Sequence, residues 1–139
     1  IDSTNAEREG HSVSEQEILS GLEELLRASK GRVYVTLFSS NVYRICQLMK
    51  LAHRYGRFVC LSGRSLQSAF EKAGTLGLPG RAMPNISEVR MLNAADINRH
   101  PREAQFVICS GSQGENRSAL LRLAQRRCWQ LASRRSSWP

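Results

Sequence analysis

Apolar residues at the start of the chain recur at helical spacing. The first twelve residues are polar, and then Ile18, Leu22, Leu25 and Leu26 stand three or four positions apart. They follow a Ser-x-x-Glu start at Ser14, a pattern typical of a capped helix N-terminus. The spacing predicts a helix over about residues 13–29.

Three strand–loop–helix units follow this helix. Each begins with a continuous apolar run rich in β-branched or aromatic residues, which is typical of a buried strand, and continues with apolar residues at helical spacing. The predicted strands are GRVYVTLF (31–38), RFVCLSG (57–63) and QFVICSG (105–111). The predicted helices are SSNVYRICQLMKLAHRYG (39–56), RSLQSAFEKAGTLG (64–77), opened by Ser65, and ENRSALLRLAQRR (115–127). A connection rich in Pro, Asn and Gly separates the second and third units, and we expect at most one short helix or strand in it.

The alternation of buried strands and helices predicts an α/β fold. We expect a three-layer, Rossmann-like domain in which a small, mostly parallel sheet is flanked by helices. In such a sheet, every strand-to-helix loop emerges at the carboxyl edge. The loops FSSN (38–41), SGRS (62–65) and SGSQGE (110–115) should therefore converge there, with Arg44 and Arg64 nearby. Hydroxyls, backbone N–H groups and helix N-termini at one edge favour anion binding.

Length and composition restrict the class of protein. A chain of 139 residues, 41% hydrophobic and 23% charged, suits one soluble domain, and none of its apolar runs approaches the roughly 20 residues of a membrane span. The chain opens on Ile, so we expect it to be a fragment. Four widely separated cysteines, three of them in apolar segments, favour a reducing, cytoplasmic location without disulfides or a metal knuckle.

The net charge of +8 is unevenly distributed. Acidic residues crowd the first quarter, and none follows Glu115. Six arginines and no acidic residue follow Glu115: Arg117, Arg122, Arg126, Arg127, Arg134 and Arg135. This distribution suits a polyanionic partner, although a solvated helix face with an irregular tail explains it equally well.

Taken singly, the candidate motifs have plainer interpretations. SGSQGE is neither a Walker motif nor a dinucleotide fingerprint, so it can be an ordinary strand-to-helix turn. The three histidines lack metal-binding spacing. Asp2 and Glu15 are explained by turn and helix capping. Phe38, Tyr43 and Tyr55 are better explained as core or helix-face residues than as base-stacking platforms.

Taken in order, four motifs resemble one family. They are DSTNA (2–6), SNVYR (40–44), GRS (63–65) and GSQGE (111–115). Together they resemble the β-CASP region of RNase J-type ribonucleases, which belong to the metallo-β-lactamase superfamily. The resemblance covers roughly residues 2–124. It implies that 1–12 end a metallo-β-lactamase segment, that 13–127 form a partial β-CASP domain, and that 128–139 are an irregular tail.

The resemblance also implies functional residues. Asp2 matches an aspartate that bridges two catalytic metal ions, with zinc expected, and Glu15 matches an acidic residue that supports the catalytic site. From loop geometry, we infer that the remaining candidates contact the RNA backbone: Ser39, Ser40, Asn41, Arg44, Arg64, Ser65, Ser112 and Gln113. The expected partners are RNA and the missing metallo-β-lactamase portion, and whether the parent forms a homo-oligomer stays open.

Departures from the family pattern limit what this chain can do alone. The H-x-H-x-D-H metal motif, the other histidine ligands and the later HxSGH-like segment are absent, and Asn116 stands where the family usually has proline. We therefore expect the parent to hydrolyse RNA, but not this chain by itself, which should bind no metal. Two alternatives stay open. One is a non-catalytic nucleic-acid or protein-interaction module of the same fold, and the other is a Rossmann-like nucleotide binder.

Overall fold

Helices and strands alternate along residues 14–77, 86–114, 116 and 118–125, the part of the chain that the computed structural model describes. The helices are α1 (Glu15–Ala28), α2 (Val42–Arg54), α3 (Arg64–Thr75) and α4 (Ala119–Ala124), and the strands are β1 (Val33–Thr36), β2 (Phe58–Ser62) and β3 (Gln105–Cys109). The predicted end segments, 1–12 and 128–139, lie outside the described residues.

The three strands form one parallel sheet in the order β1-β3-β2. Cys109 at the end of β3 pairs with Thr36 at the end of β1 and with Ser62 at the end of β2. All three strands thus end at the same level, and their loops leave the same edge. The predicted α/β class, the parallel sheet and the convergence of the loops are confirmed.

Both faces of the sheet are covered. On one face, Val59, Leu61, Phe106 and Ile108 belong to a buried core that also includes residues of α1, α2 and α3: Leu26, Ile45, Leu48, Met49 and Leu66. On the other face, Cys60 and Val107 pack against Ile97 and Leu92 of the connection before β3. Because side chains alternate along a strand, β2 and β3 each contribute to both layers.

The prediction of a buried first strand is wrong. The residues of β1 are half-buried or exposed, and Tyr34 is 44% exposed. Strand β1 lies at an edge of the described sheet, whereas the outer side of the other edge strand, β2, is bonded to the connection. There the Val59 N–H donates to the Arg90 carbonyl and the Leu92 N–H donates to the Val59 carbonyl, both at 2.8 Å. An edge strand with one covered side keeps part of its surface open.

Two helix starts and the long connection also differ from expectation. Helix α3 begins at Arg64 with Gly63 in the cap position, not at Ser65. Helix α4 begins at Ala119, four residues later than predicted, because the Ser118 hydroxyl accepts the Leu121 N–H at 3.2 Å and caps the helix there.

The long connection before β3 contains more structure than expected. Its described part, from residue 86 onward, holds three short 3₁₀ turns (Ile86–Glu88, Ile97–Arg99 and Arg102–Ala104) and a bridge between Met91 and Val59 of β2.

A buried arginine joins α1 to the start of β2. Arg57 is 6% exposed, and its guanidinium donates to the carbonyl oxygens of Gly31 at 2.8 Å and Ser29 at 3.0 Å, and to the Ser29 hydroxyl at 2.6 Å. Longer bonds of 3.4 Å reach the Leu26 and Gln105 carbonyls. Burial lowers the pKa of Arg57, but these oxygens at the negative end of α1 stabilise its charge.

Three cysteines are core residues, as predicted. Cys46, Cys60 and Cys109 are buried and free, while Cys128 lies outside the described residues. Burial raises the pKa of the Cys60 and Cys109 thiols to about 11, so both are neutral at physiological pH. None of the described helices is long and apolar enough to cross a membrane.

Candidate functional site

Backbone hydrogen bonds connect the three loops at the carboxyl edge of the sheet. The Leu37 N–H donates to the Cys109 carbonyl at 3.2 Å, and the Ser110 N–H donates to the Ser62 carbonyl at 3.4 Å. The Leu120 N–H donates back to the Ser110 carbonyl at 3.0 Å, which holds the start of α4 against the end of β3. The sheet therefore fixes the relative positions of these loops.

A cavity of about 410 Å³ opens between the loops that follow β2 and β3. Its lining residues share polar or cationic side chains, apart from one glycine. They are Arg64, Ser65, Ser110, Gly111, Asn116, Ser118 and Arg122. Among these described residues there are two guanidinium groups and no carboxylate, so the cavity suits an anion with several oxygen atoms.

The position of Arg64 strengthens this electrostatic argument. It is the first residue of α3, where the helix dipole is positive and the first N–H groups lack partners within the helix. Gly63 occupies the cap position and has no side chain with which to accept from them. A cation at this end of a helix is unfavourable unless an anion lies nearby, and Arg64 and Ser65 are both exposed. The local charge therefore favours an anionic ligand.

Two glycines give the cavity its shape. Gly63 has φ +128°, and a Cβ added there would lie 2.7 Å from the Ser110 hydroxyl. Gly111 has φ +118°, and a Cβ there would lie 2.6 Å from the Ser118 hydroxyl. Residues with side chains rarely adopt these conformations, and neither site has space for one. Glycine is thus required for the loops to approach each other.

An ion pair connects α1 to α2 beside the loop that follows β1. The Arg44 guanidinium donates through Nε to Glu15 Oε2 at 3.1 Å and through its NH2 group to Glu15 Oε1. This hydrogen bonding is the main cause that lowers the pKa of the Glu15 carboxyl, and it raises the pKa of Arg44. Asn41 caps α2 by accepting the Arg44 N–H at 3.0 Å, so the loop, Arg44 and Glu15 form one chain of contacts.

The structure brings only some of the predicted site residues together. Arg64 and Ser65 line the cavity, whereas Ser112 and Gln113 lie exposed in the turn after β3 and are not among its described lining residues. Ser39, Ser40 and Asn41 form a separate turn after β1, in which the Asn41 N–H donates to the Phe38 carbonyl at 3.1 Å. Asp2 lies outside the described residues, so its role as a metal ligand stays a prediction.

Sequence reasoning missed five of the residues that line the cavity: Ser110, Gly111, Asn116, Ser118 and Arg122. Ser110 and Gly111 carried a usable signal, since the first residues after a central parallel strand lie nearest the neighbouring loops. Ser118 carried no such signal, because the helix was predicted to begin before it, and Arg122 was noted only as one of the six arginines near the end of the chain. Their approach to Arg64 depends on the later start of α4.

The described residues do not fit a metal centre by themselves. They contain no group of three or more His, Cys, Asp or Glu side chains that could hold a metal ion. Both carboxylate oxygens of Glu15, the acidic candidate among the described residues, already accept hydrogen bonds from the Arg44 guanidinium. The chemistry that these residues support is anion binding and positioning.

Comparison with known proteins identifies relatives of this chain. A family model described as "Ribonuclease J, beta-CASP domain" matches residues 30–136. Ribonuclease J of Sinorhizobium meliloti is 39% identical over 124 residues, which are 89% of this chain and 21% of the relative. Ribonuclease J of Mycoplasma genitalium is 36% identical over 124 residues, which are also 89% of this chain and 21% of the relative. Ribonuclease J2 of Bacillus subtilis is 33% identical over 130 residues, which are 94% of this chain and 22% of the relative. The chain thus spans about a fifth of the length of these curated relatives.

Proposed function

The chain belongs to the ribonuclease J β-CASP domain family, and from this premise we propose that it holds the RNA strand in a metal-dependent ribonuclease of RNA processing or decay. The relatives named above are ribonucleases, so RNA is the polyanion that the cavity is proposed to bind. The buried, free cysteines are consistent with a reducing compartment, and the proposal places the protein in the cytoplasm.

The cationic cavity is the observation that carries this proposal. Arg64, Arg122 and the open N-terminus of α3 meet there without a carboxylate among the described lining residues. Guanidinium groups bind phosphate oxygens in a planar, two-pronged geometry, and serine and asparagine add neutral hydrogen bonds. A phosphodiester of single-stranded RNA supplies the matching negative charge and acceptors.

Bond cleavage is assigned to other parts of the complete protein. The described residues contain no group of side chains that could hold a metal ion, so in this proposal they bind and orient RNA and do not coordinate the metal ions. Asp2 is proposed as a metal ligand of the complete ribonuclease. Glu15, held by Arg44, is proposed to support the metal site of the complete ribonuclease.

An RNA-binding measurement on the 139-residue chain tests the role of the cavity. Fluorescence anisotropy with a labelled single-stranded RNA should give an affinity that falls steeply between 50 and 200 mM salt, as counterion release requires. Arg64→Gln should weaken binding by about tenfold and reduce the salt slope by about one.

The matched control removes the same charge far from the cavity. Arg99 lies in the 3₁₀ turn Ile97–Arg99, its side chain is 81% exposed, and it pairs with Asp96 at 3.1 Å. Arg99→Gln should leave both the affinity and the salt slope close to those of the unchanged chain. Equal effects of the two substitutions, or RNA binding that ignores salt, would contradict a specific role for the cavity.

A further inference from the structure

Phe38 is more exposed to solvent than the other three phenylalanines of the chain. Phe106 is fully buried in β3, Phe70 packs against the core, and Phe58 lies beneath the Arg90 guanidinium at 4.8 Å and against the His100 ring at 4.2 Å. Phe38 is 52% exposed, although Leu37 beside it is only 7% exposed. The prediction that Phe38 is a core or helix-face residue is therefore wrong, because the turn after β1 directs the chain away from the core.

Tyr43 is a second exposed ring at the same turn. It is the second residue of α2 and is 56% exposed, the highest value among the three tyrosines. The hydroxyl of Tyr55 donates to Glu23 at 2.9 Å, and that of Tyr34 accepts from Arg32 at 2.9 Å. Tyr34 and Tyr55 thus have structural partners, whereas Tyr43 presents more than half of its surface to solvent.

Both rings lie at the edge of the sheet that carries the cationic cavity. Phe38 follows the end of β1, and the neighbouring strand β3 leads directly into Ser110 and Gly111, which line the cavity. Adjacent strands are about 4.8 Å apart, so the turn after β1 and the loop after β3 are near neighbours. A strand of RNA that places a phosphate in the cavity can reach the turn with its adjacent nucleotides.

The surroundings of the rings favour nucleobases over an apolar protein surface. Three of the four residues between Phe38 and Tyr43 are polar, namely Ser39, Ser40 and Asn41, so polar groups are interspersed with the rings along this turn. Binding sites for single-stranded nucleic acid combine such separate rings with a cationic groove, because every base offers a flat face for stacking. The net charge of +8 and the two arginines of the cavity complete this combination.

We propose that Phe38 and Tyr43 form a base-stacking platform for single-stranded RNA, next to the cavity that binds the backbone. The inference rests on the proposed function and adds a second kind of contact to it. The platform acts on the base and the cavity acts on the phosphate. An RNA that lacks bases should therefore use only the cavity.

Two RNA probes separate these contacts. One is a uridine oligonucleotide, and the other is an abasic oligonucleotide with the same number of phosphates. In anisotropy titrations with the 139-residue chain, Phe38→Leu should weaken binding of the uridine RNA about tenfold and leave binding of the abasic RNA unchanged. Phe38→Trp should retain or strengthen uridine binding, since indole is a larger stacking surface. Tyr43→Leu should reproduce the pattern of Phe38→Leu.

The controls distinguish failure of the platform from failure of the cavity. Arg64→Gln should weaken both RNAs equally, because it removes a backbone contact. Leu76→Ala removes an apolar side chain that is 68% exposed at the opposite end of α3 and should change neither affinity. Melting curves of the Phe38 variants should match that of the unchanged chain, because the ring lies largely in solvent.

Each remaining outcome has a definite meaning. If Arg64→Gln weakens binding but Phe38→Leu does not, the platform is refuted and the proposed function stands. If Phe38→Leu weakens both RNAs equally, the ring supports the loop and does not stack on bases, which also refutes the platform. If the unchanged chain binds neither RNA at low salt, both the proposed function and the platform are refuted.

Discussion

Two arginines stand on either side of strand β2 and have opposite surroundings. Arg57 precedes the strand at the amino edge of the sheet, is 6% exposed, and donates to carbonyl oxygens of α1 and its following turn. Arg64 follows the strand at the carboxyl edge, is exposed, and begins α3 beside an open cavity. The same side chain therefore meets the negative end of one helix and the positive end of another.

This difference separates a structural arginine from one that needs a ligand. At the amino edge, protein oxygens supply the negative charge, so the site is complete within the chain. At the carboxyl edge, the backbone presents N–H groups, and the described cavity walls add a second arginine but no carboxylate. This contrast is the physical reason for proposing that RNA binds at the carboxyl edge.

Arg57→Met gives the largest expected effect. The substitution leaves the partly buried carbonyl oxygens of Gly31 and Ser29, and the buried ones of Leu26 and Gln105, without their donor and should lower the free energy of unfolding by about 3 kcal/mol. Urea denaturation checks this value. Arg64→Met should change it by less than about 0.5 kcal/mol, because that side chain is exposed. Equal losses of stability would show that the two edges do not differ in the way described.

Gly111→Ala comes next in size. Its φ of +118° and the contact that a Cβ would make with Ser118 should together cost about 2 kcal/mol of stability and weaken RNA binding as the cavity changes shape. Thermal unfolding and anisotropy measure the two effects. Gly74→Ala is the matched control, since it lies inside α3 with open space around it and should be neutral or stabilising by about 0.5–1 kcal/mol. A Gly111→Ala chain as stable as the control would contradict the role given to this glycine.

The Glu15–Arg44 pair gives the smallest expected effect. Because the folded pKa of Glu15 is lowered, its stabilisation is complete above the ordinary pKa of about 4.3 and is lost as the pH falls through the lowered value. Carbon-detected NMR titration should show the Glu15 pKa rising toward its ordinary value in Arg44→Met.

Glu17 provides an internal control in the same titration. The Ser14 N–H, and not Arg44, is the main cause that lowers the pKa of Glu17, so this pKa should stay where it is in Arg44→Met. A Glu15 that titrates identically in both proteins would show that the pair does not form in solution.

Local patterns predicted most elements of this fold. The Ser14 start and the apolar spacing behind it predicted α1, whose capping box of Ser14 and Glu17 is present. The apolar runs located β2 and β3, because both strands are buried between covered faces. The burial of β1 was mispredicted because the covering of an edge strand depends on tertiary contacts, such as the bridge between Val59 of β2 and Met91, which no local pattern contains.

The candidate site was predicted less completely than the fold. Convergence of the loops follows from parallel strands, and this placed Arg64 and Ser65 correctly at the carboxyl edge. The pairing of Arg44 with Glu15 joins residues 29 positions apart, and the approach of Ser118 to Gly111 depends on glycine conformations. Such contacts arise from tertiary packing, and spacing along the chain does not reveal them.

Chemical-shift mapping tests the central claim most directly, because it observes both edges of the sheet at once. Single-stranded RNA added to the ¹⁵N-labelled 139-residue chain should shift the amide signals of Arg64, Ser65 and Gly111 at the carboxyl edge. Those of Arg57, Phe58 and His100 at the amino edge should stay in place. Shifts concentrated at the amino edge, or no shifts at either edge at low salt, would contradict the assignment of RNA binding to the carboxyl-edge cavity.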